Sequence, residues 1–236
     1  MKLVLLDANN PLQPFPALRN ALREPNGLLA VGGCLSSERL INAYRHGAFP
    51  WFSGDEPILW WSPNPRLVLF PEKLNVSKRL AKTIRQKKFN VTMNQVFDSV
   101  ISKCGELRAD AEGTWISDDI RRAYSQLHRQ GIAHSFEAWF DGELVGGLYG
   151  VALGNIFFGE SMFHTMSDAS KVAFAHCVQH LQLLGFQLID CQVHSEHLVS
   201  LGAEEISRSE FSKLLAIHCT DNELITATIS ERLSTF

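Results

Sequence analysis

The sequence predicts an α+β protein: a small N-terminal α/β domain followed by a larger one whose mixed, mostly antiparallel sheet is flanked by helices. Three observations predict it. Residues 134–163 read as three apolar strands joined by two-residue turns. A helix-length apolar segment from about Ser167 to Leu184 separates this meander from one more short strand. The first sixty-odd residues differ in texture from the rest, being dense in Gly, Pro and Trp.

The N-terminal domain is expected over residues 1–64, ending at the prolines of SPNPR. Its one clear helix starts after Ser36 or Ser37, with Leu40, Ile41, Ala43 and Tyr44 at helical spacing and Gly47 closing it. The second domain, 65–236, opens with RLVLF as a strand. Ser77 to Lys88 reads as a basic helix, and Asn94 to Cys104 as a helix carrying Val96, Val100 and Ile101. Ser117 is a strong N-cap, with Asp118 and Asp119 at the positive end of the helix dipole and Ile120, Ala123, Tyr124 and Leu127 on one face. HSFEAWF, ELVGGLYGVAL and NIFFGESMF form the meander, turning at Asp141-Gly142 and Gly154-Asn155. After the long helix, GFQLIDCQVHSEH reads as a buried strand, followed by two short helices. Meander, helix, strand, helix is the order of an acetyltransferase-like (GNAT-like) domain, whose sheet splays open to admit a substrate.

Bulk properties agree with a folded globular chain. The 236 residues are 45% hydrophobic and 20% charged, with no repeat or low-complexity tract. The formal charge of −3 argues against a protein that coats nucleic acid indiscriminately. Five cysteines without CxxC spacing read as reduced thiols, which fits a cytoplasmic protein. MKLVLLDANN has too few apolar residues before Asp7 for a signal-peptide core, and no segment approaches membrane-spanning length.

Polar groups inside apolar strands carry the chemistry. Asp190 and Gln192 lie two apart in LIDCQ, so simple alternation puts them on one face. Glu160 alternates with Phe158 and Met162 in NIFFGESMF. A lone strand Glu is more often a salt-bridged structural acid. Three such groups on one sheet more plausibly line a cleft, because burying unpaired carboxylates is costly. In SKRLAKTIRQKK, Lys78, Arg79, Lys82 and Arg85 repeat at helical spacing with Lys87 and Lys88 behind them, a run that suits a nucleic-acid phosphate backbone. Trp51, Phe52, Trp60, Trp61, Trp115 and Phe157 sit in Gly- and Pro-rich surroundings, and Gly113-Thr114-Trp115 and Phe49-Pro50-Trp51-Phe52 are loop placements that can wall a pocket. Cys191, His194 and His197, with His176 and His180, lack the paired spacing of a zinc site.

The ordered blocks REPNGLLAVGG, AYRHGAFPWF, WWSPNPR, GTWI, HSFEAW, LVGGLYGVALG, FFGESMF, LIDCQ and SLGA resemble the leucyl/phenylalanyl-tRNA protein transferases. The resemblance implies an aminoacyltransferase that moves Leu or Phe, and also Met, from aminoacyl-tRNA to the N-terminal amine of proteins beginning with Arg or Lys, marking them for degradation. It implies Asp190, Gln192 and Glu160 as catalytic and acceptor-orienting groups, and the basic helix as the tRNA contact. It implies Trp51, Trp115, Phe157, Gly159, Ser161, Met162, Phe174 and Ile189 as the wall that takes the aminoacyl side chain and terminal adenosine. Cys34, Ser37, Ser207 and Cys177 depart from the family pattern, the last where a larger residue commonly lines the pocket.

An aminoacyl ester is already activated, so no cofactor or covalent nucleophile is expected; positioning the amine suffices. A monomer is expected, since the basic face and cleft should stay open. Two alternatives compete. An acetyl-CoA-dependent N-acetyltransferase needs a glycine-rich nest before the long helix, and HTMSDAS has no glycine. A non-catalytic tRNA-binding module leaves Glu160, Asp190 and Gln192 unexplained.

Overall fold

The computed structural model describes residues 3–54, 56–109 and 114–220. Four short strands, β1 (Val4–Leu6), β2 (Leu28–Gly32), β3 (Phe49–Pro50) and β4 (Leu59–Trp61), form an N-terminal sheet in the order β1-β2-β4-β3, with helix α1 (Ser37–His46) between β2 and β3. Ser36 caps α1 by accepting from the Arg39 amide, and Gly47 ends it in the left-handed region at φ 91°. A Cβ on Gly47 would stand 2.8 Å from Leu215 Cδ1, a side-chain tip that can shift, so it is the left-handed backbone that calls for glycine there.

The second sheet has seven strands: β5 (Arg66–Leu69), β6 (Asn90–Met93), β7 (Ala133–Phe140), β8 (Glu143–Leu153), β9 (Ile156–His164), β10 (Leu188–Gln192) and β11 (Glu204–Ile206). Their order is β11-β5-β10-β9-β8-β7-β6, and β9 with β10 is its parallel pair. The helices are α2 (Lys78–Arg85), α3 (Phe97–Ala109), α4 (Asp118–Arg129), α5 (Ala169–Leu183), α6 (Glu196–Ser200) and α7 (Arg208–His218). The architecture is α+β, a small N-terminal domain and a mixed-sheet domain in the expected acetyltransferase-like order. None of the helices is long and apolar enough to cross a membrane among the described residues.

Each face of the large sheet has its own core. On one face, Leu29, Leu40, Tyr44 and Trp60 of the N-terminal domain join Phe97 of α3, Ile120 of α4, Phe158 and Leu188 in a single cluster. On the other, Val172, Phe174 and Val178 of α5 and Leu80 of α2 pack on Phe136, Leu148, Phe157 and Ile189. The N-terminal domain is therefore packed onto the sheet through a shared core, where each fully buried Leu or Phe contributes about 1.5–3 kcal/mol.

Local sequence explains most elements. Ser117 accepts from the Ile120 amide, and Ile120, Tyr124 and Leu127 are the buried face of α4. Asp141 and Gly142 both take positive φ, 50° and 82°, as a tight hairpin requires. Three expectations are corrected. The basic helix stops at Arg85: Lys87 is left-handed at φ 49°, so Lys87 and Lys88 lie beyond it. Asn94 does not begin a helix; at φ 57° it ends β6, and its Oδ1 accepts from the Ser135 amide. Strict alternation fails in β9 and β10, because each carries a bulge. Gly150 pairs with Gly159 but Tyr149 with Ser161, leaving Glu160 as the extra residue. Phe158 and Phe163 consequently share one core, and Phe157 and Met162 the other.

Candidate active site

Two adjoining cavities meet where β9 and β10 run side by side. One, of about 220 Å3, is lined by Phe157, Gly159, Ser161, Met162, Phe174 and Ile189, with Leu148 and Cys191. The other, of about 90 Å3, is lined by Phe49, Pro50, Trp51 and Trp115. Glu160, Gln192 and Val193 line both, so the two form one notch with the bulged residues at its waist. The eight residues singled out as a pocket wall are thus divided, six in the larger half and two indoles in the smaller. Trp61 supports the indoles by donating to the Trp51 carbonyl at 2.6 Å, whereas Trp60 is wholly core. Cys177 is fully buried and is not among the lining residues, so its small size does not widen the notch directly. Gly113 lies outside the described residues.

The larger half owes its shape to glycine. A Cβ on Gly150 would lie 2.5 Å from Phe157 Cζ and 2.4 Å from the Phe158 carbonyl, so only glycine lets the Phe157 ring lie across β8. Gly159 differs: a Cβ there meets only the Asp190 carbonyl, at 3.4 Å.

Glu160 is buried and accepts from Tyr44 Oη at 2.7 Å and Gln192 Nε2 at 2.8 Å through Oε1, and from Tyr124 Oη at 2.9 Å through Oε2. The two tyrosine hydroxyls also contact each other. Burial pushes the Glu160 carboxyl up to about 8, against the lowering pull of the tyrosine bonds, and the Asp190 charge adds to the rise. Among the described residues no cation pairs with Glu160, so it is not the salt-bridged acid that a lone strand carboxylate usually is.

Asp190 stands apart from the opening. It has no exposed surface and lines neither half of the notch. Arg66 holds it bidentately, Nε to Oδ1 at 2.8 Å and Nη2 to Oδ2 at 2.6 Å, and is itself sandwiched between the Phe49 and Phe211 rings at 4.8 and 4.5 Å. The expectation that alternation aims Asp190 and Gln192 at one place is corrected. A register shift falls between them and Gln192 takes φ 66°; what joins them is the Gln192 amide, which donates to Asp190 Oδ1 at 3.0 Å.

Sequence reasoning missed Arg66, Tyr44 and Tyr124 as parts of this site. A signal existed for the first, since a buried Asp needs a cation and Arg66 is the charged residue of RLVLF. Both tyrosines were read as core positions, which their rings are, while their hydroxyl tips meet Glu160.

Lys78, Arg79, Lys82, Arg85, Lys87 and Lys88 are all exposed. Arg79 Nε lies 3.4 Å from Oδ2 of Asp168, the N-cap of α5. A carboxylate at that helix start opposes the pyrophosphate of acetyl-CoA. His194 pairs with Glu205 and Glu196 at 2.9 and 3.1 Å, and no group of three metal-ligating side chains occurs among the described residues.

A family model described as leucyl/phenylalanyl-tRNA protein transferase matches residues 68–216, and one for the N-terminal domain of the same family matches residues 33–64. A leucyl/phenylalanyl-tRNA–protein transferase from Methylococcus capsulatus is 58% identical over 214 residues, 91% of each chain. One from Pseudomonas fluorescens is 59% identical over 204 residues, 86% of this chain and 90% of that one. Among solved structures, a GCN5-related N-acetyltransferase from Kribbella flavida overlaps 70% of this chain and 58% of its own at 12% identity and a TM-score of 0.38, too low to carry an argument.

Proposed function

The chain belongs to the leucyl/phenylalanyl-tRNA protein transferase family and is an aminoacyltransferase; we propose that it moves Leu, Phe or Met from aminoacyl-tRNA to the α-amine of proteins beginning with Arg or Lys. The preference for Arg or Lys and the degradation role of the product rest on the family resemblance, the cytoplasmic location on the scattered reduced thiols, and the monomeric state on the need to keep the notch and basic helix open.

One observation carries the mechanism. The Gln192 amide nitrogen is pinned to Glu160 and Gln192 lines both halves of the notch, which in this reading leaves its amide oxygen for the acceptor at the waist. In this reading the aminoacyl side chain fills the apolar half and the terminal adenosine lies against Trp51 and Trp115. The acceptor amine enters at the waist and donates a hydrogen bond to Gln192 Oε1, which aims its lone pair at the ester carbon. An α-amine has a pKa of about 7.7–8.0, so a useful neutral fraction is present near neutral pH. Nitrogen adds to the carbonyl carbon, the peptide bond forms, the ester C–O bond breaks, and the ribose oxygen leaves with the proton that the amine gives up.

Gln192 is the catalytic residue of this scheme. Asp190 and Glu160 are positioning residues, one fixing the Gln192 backbone and the other its amide. With its oxygens engaged and its carboxyl buried, Glu160 orients Gln192 instead of binding the acceptor's cationic side chain. The exposed cations of α2 and the turn after it hold the tRNA backbone. Mixing the protein with Phe-tRNA and an Arg-initiated peptide tests the reading: a product heavier by one Phe residue is expected, and an unchanged peptide contradicts it.

A further inference from the structure

The notch and the core account for Trp51, Trp60, Trp61 and Trp115, and leave Trp139 without a role. Trp139 stands half-buried near the end of β7, beside β6, the last strand of the large sheet. Its Nε1 donates to Thr92 Oγ1 at 2.7 Å. An indole N–H can only donate, so Thr92 accepts from it and turns its own proton to Glu137 Oε2 at 2.5 Å, while Ser135 Oγ donates to Glu137 Oε1 at 2.6 Å. Glu137 has no exposed surface, and among the described residues it is held by these hydroxyls and not by a cation. A buried carboxyl thus fixes a hydroxyl, and the hydroxyl fixes the tilt of the indole.

Trp139 walls an open cavity of about 400 Å3 with Lys87, Lys88, Asn90, Thr92 and Gln95, and Asp141 is the one acid among the lining residues. Lys87 and Lys88 are exposed, and Lys88 Nζ lies over the Phe89 ring at 5.2 Å, which holds it beside the cavity. The cavity is at the Gly142 end of β8; the other end, at Gly154, packs on His218 and Thr220.

The lining selects its occupant. An indole stacks a planar base, Asn90 and Gln95 offer amide donors and acceptors to base edges, and two lysines meet the adjoining phosphate. A cationic peptide side chain also stacks on an indole, but here it would meet two lysines. A free anion would leave the indole and the amides unused. The cavity also continues the basic surface of α2, since Lys87 and Lys88 lie between that helix and β6. It is not the seat of the terminal adenosine. Trp139 pairs with Leu144 of β8, and Gly159 of the notch pairs with Gly150, six residues or about 20 Å further along the same strand. A base inside a duplex has no free face, so the nucleotide is an unpaired one set back from the ester.

We infer that this cavity seats one unpaired nucleotide of the donor tRNA, its base stacked on Trp139 and its phosphate at Lys87 and Lys88. The inference rests on the proposed transfer reaction. The test compares Trp139→Leu, Trp139→Phe and the double substitution Lys87→Gln/Lys88→Gln. Binding of Phe-tRNA is measured across a salt series, beside transfer to an Arg-initiated peptide from Phe-tRNA and from the phosphate-free ester Phe-adenosine. Trp139→Leu should bind Phe-tRNA about tenfold more weakly with the parent's salt slope, and Trp139→Phe, which keeps a ring, should recover most of that loss. The lysine variant should instead show a log–log salt slope shallower by about 1.5. Transfer from Phe-adenosine should match the parent in Trp139→Leu, which also shows that the variant is folded. Parent affinity for Phe-tRNA in Trp139→Leu would overturn the inference, and so would equal losses in Trp139→Leu and Trp139→Phe. A rise confined to the peptide KM would overturn it too, assigning the cavity to the acceptor. Because tRNA affinity is read without turnover, a parent that transfers from neither donor sinks the proposed reaction alone.

Discussion

Gln192 Nε2 donates to Glu160 Oε1 at 2.8 Å, and that bond decides which end of the amide faces the notch. Oε1 of Glu160 accepts from both Tyr44 and the NH2 end of Gln192, so two donors converge on one carboxyl oxygen. The amide is therefore set before any substrate arrives. Its backbone is set as well, by the Gln192 N–H bond to an Asp190 that Arg66 holds in place.

The Arg66–Asp190 pair is buried at both ends, with side-chain exposures of 1% and 0%. Arg66→Met strands an unpaired carboxylate and should cost about 3–5 kcal/mol in urea denaturation. Arg66→Met/Asp190→Leu removes both charges and should regain most of that stability. Transfer should stay impaired in the double variant, because the Gln192 amide has lost its acceptor. Recovery of activity along with stability would reduce Asp190 to a structural role.

Glu160 gives stability a pH dependence. Its folded pKa of about 8 lies above the ordinary 4.5, so between these values the folded protein holds a proton that the unfolded chain has released. The stabilisation is complete below about pH 4.5, declines as pH rises, and levels off above about pH 8. Glu160→Gln should flatten that part of the curve in melting experiments run from about pH 5 to about pH 9. Parallel curves for the two proteins would show that Glu160 titrates normally.

The apolar half of the notch should select donors by size and shape. In competition among charged tRNAs, Leu and Phe should outcompete the β-branched Ile and Val. Gly159→Ala is tolerated by the backbone, its Cβ meeting only the Asp190 carbonyl at 3.4 Å, and it narrows the cavity. It should lower kcat/KM for Phe-tRNA by about tenfold while sparing Leu-tRNA. Equal losses for both donors would place the side chain elsewhere.

Legibility in the sequence followed the range of the interaction. The meander could be read because Asp141-Gly142 sets its hairpin locally, and ELVGGLYGVAL is strand β8 from end to end. The nearness of Glu160 to Gln192 followed from the cost of burying each alone. The rest of the site is assembled from afar: Arg66 meets Asp190 across 124 residues and Tyr44 meets Glu160 across 116, and no local pattern encodes either. The bulges at Glu160 and before Gln192 were illegible for a different reason. Period-two reasoning assumes an unbroken ladder, and both departures fall in the strands that carry the notch. β6 was hidden because Asn94 resembles a helix cap, while its side chain serves β7 instead.

Single-turnover transfer by Gln192→Ala tests the central claim most directly, with Phe-tRNA and an Arg-initiated peptide and with tRNA affinity measured alongside. The account predicts a rate lower by about 10²-fold at an unchanged Kd for tRNA, as expected when a reacting amine loses the group that aims it. Transfer at the parent rate, or a loss that lies wholly in tRNA affinity, would contradict it.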